Sequence, residues 1–258
     1  MAWTAFPHHD DAYVYSAAEL KQAWPQLHLG DCEPFPAKAA LVQAWIAFHA
    51  GDFARAARLG LDVGVDGYSV AHKATCIYAN NLEPSEKKKF ALFEEVAERC
   101  DRQQLEQPAN PAGYYWQAYA LGRYAQGISI VKALAQGIAP KIRADLDKAI
   151  KLAPAHADAY VALGAYQAEI IGTVGALIAG LTYGARKDEC YKAFQHGLAL
   201  DPESAIGRIE YAHAMVILEG KKRLGEVSAL YRAAAALTPH DATDWLDVEA
   251  AKRMAQLQ

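Results

Sequence analysis

His8-His9-Asp10-Asp11 is the densest local cluster of metal-ligating side chains in this chain. Imidazole and carboxylate together suit zinc or nickel. Adjacent residues rarely aim at one ion, so a solvated tail or a helix-start cap is the competing reading. The remaining histidines are 28, 49, 72, 156, 196, 213 and 240, which are dispersed and read as surface or hydrogen-bonded core side chains. No G-x-S-x-G, G-x-G-x-x-G, G-x-x-x-x-G-K-[ST] or H-E-x-x-H occurs, so nucleophile-elbow, dinucleotide, P-loop and zincin chemistry have no signature here. The expectation is a protein that is not an enzyme and needs no cofactor or metal.

The second chemical concentration is aromatic. In "PAGYYWQAYALGRY" (111–124) Pro111 suits a helix start. Tyr115, Ala118, Leu121, Gly122 and Ala125 then fall on one stripe, and Trp116, Tyr119 and Arg123 on another. Tyr, Trp and Arg are frequent anchors of recognition surfaces. The second stripe is therefore either the wall of a binding groove or more core.

What must position these groups is a helical, folded chain. Of 258 residues, 53% are hydrophobic and 22% charged, an ordinary globular composition. Net charge is −4, with no basic stripe, which argues against nucleic acid as a partner. Cys32, Cys76, Cys100 and Cys190 are far apart, without C-x-x-C, and read as reduced thiols rather than a zinc or disulfide framework. The start, "MAWTAFPHHDDAYVY", lacks a basic region followed by an apolar core, so no signal peptide is expected and a cytoplasmic location is. A trimmed export signal would make it periplasmic. The longest apolar stretch, Ile170 to Tyr183, is 14 residues broken by Gly172, Thr173, Gly175 and Gly180. That is too short to span a bilayer, so no membrane insertion is expected.

Three segments end alike: "DKAIKLAP" (147–154), "QHGLALDP" (195–202) and "RAAAALTP" (232–239). Each places a bulky residue, a small one and Leu on one helix face before Pro stops the helix. Upstream, "ALGRY" (120–124), "ALGAY" (162–166) and "EYAHA" (210–214) match one another. Gly122, Gly164 and Ala212 are the small residues that would let a second helix cross close by. "LVQAWIAFHAGDFARAARLGL" (41–61) adds an earlier unit, with Gly51 ending one helix and Asp52 capping the next.

These units resemble the tetratricopeptide repeat family. The matched positions in the best copy are Tyr160, Leu163, Gly164, Phe194, Leu200, Asp201 and Pro202. The resemblance implies an all-α, α-α superhelix of antiparallel helix pairs over 37–239. It also implies a non-enzymatic scaffold or adaptor that takes a protein or peptide partner in its groove. Inner-surface positions carried over from the family are Trp45, His49, Trp116, Tyr119, Arg123, Asp158, Val161 and His213. Trp45 and His213 stand where a carboxylate-clamp subclass has Asn, and Leu41 where it has Lys, so a clamp is not expected. A looser similarity, resting on the inserts and "TPHDATDWLDVEAA" (238–251), is to the repeat component associated with bacterial TRAP-type transporters and to regulators of microtubule dynamics.

Successive prolines stand 48 and 37 residues apart (154, 202, 239), longer than the roughly 34-residue repeat. The extra length lies between the two helices of a unit. "GISIVKALAQG" and "GALIAGLTYG" are the inserts, short apolar segments bracketed by glycine. Gly172, Ala176, Gly180 and Gly184 form a small-residue ridge if helical. The inserts therefore read as core-facing connections, with the wall of an apolar ligand pocket or an oligomer contact as the other readings. A pocket would make the protein a small hydrophobic ligand-binding module, possibly transport-associated. A homo-oligomer is also open. Residues 1–36 match no repeat; Ser16 and Glu19 make a capping box there. Residues 240–258 read as a capping helix from Asp241 or Thr243, covering the last repeat's apolar face.

Overall fold

A computed structural model describes residues 3–8 and 10–257 of the chain, apart from the side chain of Ile130. The described residues are helical, with no strand among them. The helices are α1 (Ala17–Leu27), α2 (Ala39–His49), α3 (Phe53–Val63), α4 (Tyr68–Asn81), α5 (Glu86–Glu106), α6 (Pro111–Ile128), α7 (Ile130–Ala135), α8 (Ile138–Leu152), α9 (Ala157–Val174), α10 (Ala176–Tyr183), α11 (Lys187–Leu200), α12 (Ala205–Glu219), α13 (Leu224–Ala235) and α14 (Ala242–Gln256).

They pack as hairpins in chain order: α2 on α3, α4 on α5, α6 on α8, α9 on α11, and α12 on α13. Local chemistry sets the boundaries. Ser16 and Glu19 form the reciprocal capping box at α1. Asp52 accepts the Arg55 N–H to start α3, and Gly51 turns at φ +85° between α2 and α3. Pro111 opens α6 behind Asn110, whose side chain accepts the Ala112 N–H. Asp241 caps α14.

The close crossing expected at Gly164 is present. A Cβ there would stand 2.7 Å from the buried ring of Phe194 on α11. Gly122 differs: nothing lies within 4 Å of its Cβ position. That space is a cavity, not a crossing helix.

The inserts also depart from expectation. α7 and α10 do sit inside the α6/α8 and α9/α11 hairpins. The breaks come at Ser129 (φ +93°) and Gly175 (φ +80°), so the first insert does not open at its leading glycine, Gly127, as the second does. Gly127 belongs to α6, where a Cβ would run into the Phe90 ring. The small-residue ridge is not one helix, since Gly175 splits Gly172 from Gly180. Only its first member is packed: a Cβ on Gly172 would stand 2.5 Å from the Ile217 side chain, whereas the nearest atom to a Cβ on Gly180 is the Ala185 carbonyl oxygen at 3.9 Å. α10 buries Ala179 but leaves Leu177, Ile178 and Leu181 exposed at 76%, 52% and 80%. The second insert is thus no core-facing connection.

The last helix does more than cap α13. Ala242 and Leu246 of α14 share a core with Leu20, Trp24, Trp45 and Phe48. The first and last parts of the chain are therefore packed together. Residues 3–8 run over the same junction: Trp3 stacks on Tyr78 at 4.1 Å, and His8 stacks on Trp245 of α14 at 4.8 Å.

Candidate functional site

Of the local cluster at 8–11, His9 lies outside the described residues. His8 is stacked on Trp245, and Asp10 accepts the Ala12 N–H. Among the described residues no group of three His, Cys, Asp or Glu side chains could hold a metal ion.

Histidines meet instead in the core that joins the chain ends. Lys73 Nζ of α4 lies 2.6 Å from Asp31 Oδ2, and Asp31 Oδ1 lies 2.9 Å from His28 Nδ1. His28 Nε2 faces His49 Nε2 at 3.3 Å, and His49 Nδ1 lies 2.7 Å from Asp241 Oδ2. Burial pushes His28 down to about 4 against the pull of Asp31, so at neutral pH it is uncharged. Its Nδ1–H donates to Asp31, and its Nε2 is left to face the His49 ring. Burial works to raise Asp31, but His28 and Lys73 outweigh it and hold the carboxyl well below the usual range. Every member of this buried chain has a partner, the condition under which buried polar groups are tolerated.

Beside it lies a cluster of carboxyls. A Cβ on Gly30 would stand 2.8 Å from Asp158 Oδ1, and the Asp158 N–H donates to the Gly30 carbonyl at 3.0 Å. Glycine is thus what lets the 28–33 loop pass over the start of α9. Burial, reinforced by Asp31, raises Asp158 to about 7. Burial and then Asp241 raise Asp244 to about 8, and Asp247 stands well above the usual carboxylate range for the same reasons.

The cavity opens next to Asp158, between α6, α7, α8 and α9. It spans about 910 Å³, its open mouth included. Ala133 and Leu134 of α7, Ile142 and Leu146 of α8, and Val161 and Ile170 of α9 form apolar walls. Tyr115, Tyr119 and Tyr166 add ring surface. Charge gathers on Asp158, Glu169, Glu210 and Arg123. Arg123 Nη2 lies 2.7 Å from Glu210 Oε1, and the guanidinium lies 5.2 Å from the Tyr119 ring centre. Gln126 accepts from Arg123 at 3.2 Å and donates to Glu169 at 3.2 Å. Burial raises Tyr119 to about 12 and also raises Glu169. It works to raise Glu210 too, but Arg123 outweighs it and holds Glu210 down.

Of the eight groove positions read from sequence, Tyr119, Arg123, Asp158 and Val161 come together on this cavity. Trp45 and His49 are buried among α1, α2 and α14, with Trp45 edge-on to Trp24 at 5.5 Å. Trp116 is buried between Tyr115 and Tyr119. His213 is not in the lining, though it acts on Glu210 and Glu169, which are; its ring lies 5.9 Å from Tyr231. Sequence reasoning missed Ile142, Glu169 and Glu210. No sequence signal marked them, since Gly122 on the same wall reads like the close-crossing Gly164. The first insert does wall the cavity, through Ala133 and Leu134; the second does not.

No helix among the described residues is long and apolar enough to cross a membrane. No protein-family model matches the chain, and no curated protein matches it either.

Proposed function

We propose that the protein is a non-catalytic binding module whose site is the cavity between α6, α7, α8 and α9, and that its ligand is a small, largely apolar molecule. The observation that carries this is the cavity itself, walled by aliphatic and tyrosine side chains, with a few charged groups at one side. Ligand sites have this composition. The helix order and the Gly164–Phe194 crossing support a tetratricopeptide-like solenoid as the framework.

The test is a neutral, polarity-sensitive dye such as Nile red, titrated into wild type and Gly122→Phe. A Phe side chain at 122 projects into the cavity, where a Cβ meets nothing within 4 Å. Saturable fluorescence in wild type and its loss in the folded variant support the reading. Equal fluorescence in both overturns it.

A second reading, a scaffold that binds a protein partner, draws on a different observation. Leu177, Ile178 and Leu181 of α10 present an apolar face to solvent, and such faces mark contact surfaces. Serine at all three positions, with retention of a partner from native lysate as the readout, tests it.

A further inference from the structure

We infer that the cavity's ligand carries a cationic nitrogen: an organic ammonium at one end of an apolar body. This rests on the cavity being the binding site. Three carboxyls line it, Asp158, Glu169 and Glu210, against the single guanidinium of Arg123. An acid ligand would have to use Arg123. Glu210 already holds that group at 2.7 Å, and Gln126 and the Tyr119 ring occupy its other sides. Asp158 is the reverse case: half-buried, it receives no hydrogen bond at its carboxylate from any described residue.

A neutral ligand seated in the cavity would strip water from these carboxyls without replacing it. A carboxylate would add a like charge. Both are unfavourable in a poorly solvated site. An ammonium supplies the missing donor to Asp158 and offsets the charge. Tyr115 and Tyr166 also line the cavity, and aromatic rings are groups on which alkylammonium ions are held. The aliphatic walls at Ile142, Leu146 and Ile170 take the apolar body.

Three probes of one chain length separate the possibilities: decylamine, decanol and decanoate, each titrated calorimetrically into the full chain at neutral pH. The expected result is that decylamine binds at least about tenfold more tightly than the other two. Asp158→Asn with Glu169→Gln should erase that preference and keep decanol binding. Both changes remove charge and keep shape, and circular dichroism confirms the fold. Decanol or decanoate binding as tightly as decylamine overturns the inference and leaves the cavity as a site for apolar ligands. No binding by any of the three overturns both. Decylamine binding that persists in Gly122→Phe is adsorption to the acidic surface, and overturns the inference.

Discussion

His49 Nδ1 lies 2.7 Å from Asp241 Oδ2, so the end of the first repeat helix is bonded to the first turn of the last helix across 192 residues. Asp241 has a second task. Its other oxygen accepts the Asp244 N–H and starts α14. One carboxylate therefore caps a helix and ties the two ends of the chain together. Asp241→Ala should destabilise the protein by about 3 kcal/mol, as the loss of a buried, hydrogen-bonded partner does. Asp52→Ala removes an exposed cap of the same kind and should cost about 1 kcal/mol. Urea unfolding of the two variants checks the difference. Equal losses would mean that the closure adds nothing.

Two glycines at equivalent places in the repeat should respond in opposite ways. Gly164→Leu drives a side chain into Phe194, whose ring already lies 2.7 Å from the Cβ position. Overpacking of this kind should destabilise by about 3 kcal/mol. Gly122→Leu enters open space and gains about 0.8 kcal/mol of helix propensity. Its melting temperature should match or exceed that of wild type, while binding in the cavity is lost.

Asp158 makes stability depend on pH in a stated direction. Burial raises its folded-state value from 3.8 to about 7, with Asp31 and Asp201 adding to the shift and Lys73 opposing it. A raised carboxyl contributes fully below about pH 4. That contribution is lost as pH rises toward 7, because the unfolded chain ionises first. Asp158→Asn has no such loss. Its advantage over wild type should be near zero at about pH 4 and grow to at most about 4 kcal/mol above pH 7. Unfolding curves at the two ends of that window check it, and a constant gap would contradict the assignment.

The second insert should prove dispensable for stability. Gly180→Leu meets only a carbonyl oxygen at 3.9 Å, and Leu177 and Leu181 are 76% and 80% exposed. Gly180→Leu and the Leu177→Ser, Leu181→Ser pair should each change stability by less than about 0.5 kcal/mol, as surface changes do. A drop of several degrees in melting temperature for either would show that α10 is packed.

Features governed by local chemistry were legible in the sequence. Ser16 with Glu19, Asp52 with Gly51, and Pro111 each act within a few residues of themselves, and each marks a helix boundary. The Gly164–Phe194 crossing was legible because it recurs at fixed spacing. The closure of α14 onto α1 and α2 was not: Asp241 reads the same as a cap whether or not a histidine waits on the other side of the molecule. The cavity was half legible. Tyr119 and Arg123 shared a helix stripe, and Asp158 and Val161 came only with the inner-surface positions that the family resemblance implied. Gly122 has the same residue type and helix position as Gly164, so only packing could show that one is filled and the other open. The inserts misled for a related reason. An apolar run looks the same whether it turns inward like Leu134 or outward like Leu181.

The central claim, that the cavity and not the outer apolar face is the binding site, is tested most directly by photo-crosslinking. A neutral alkyl diazirine is irradiated with the full chain and the labelled peptides are mapped by mass spectrometry. Labels on α6, α8 and α9, at residues such as Tyr119, Ile142 and Ile170, are the predicted result, lost in Gly122→Phe. Labels confined to Leu177, Ile178 and Leu181 of α10 would contradict it.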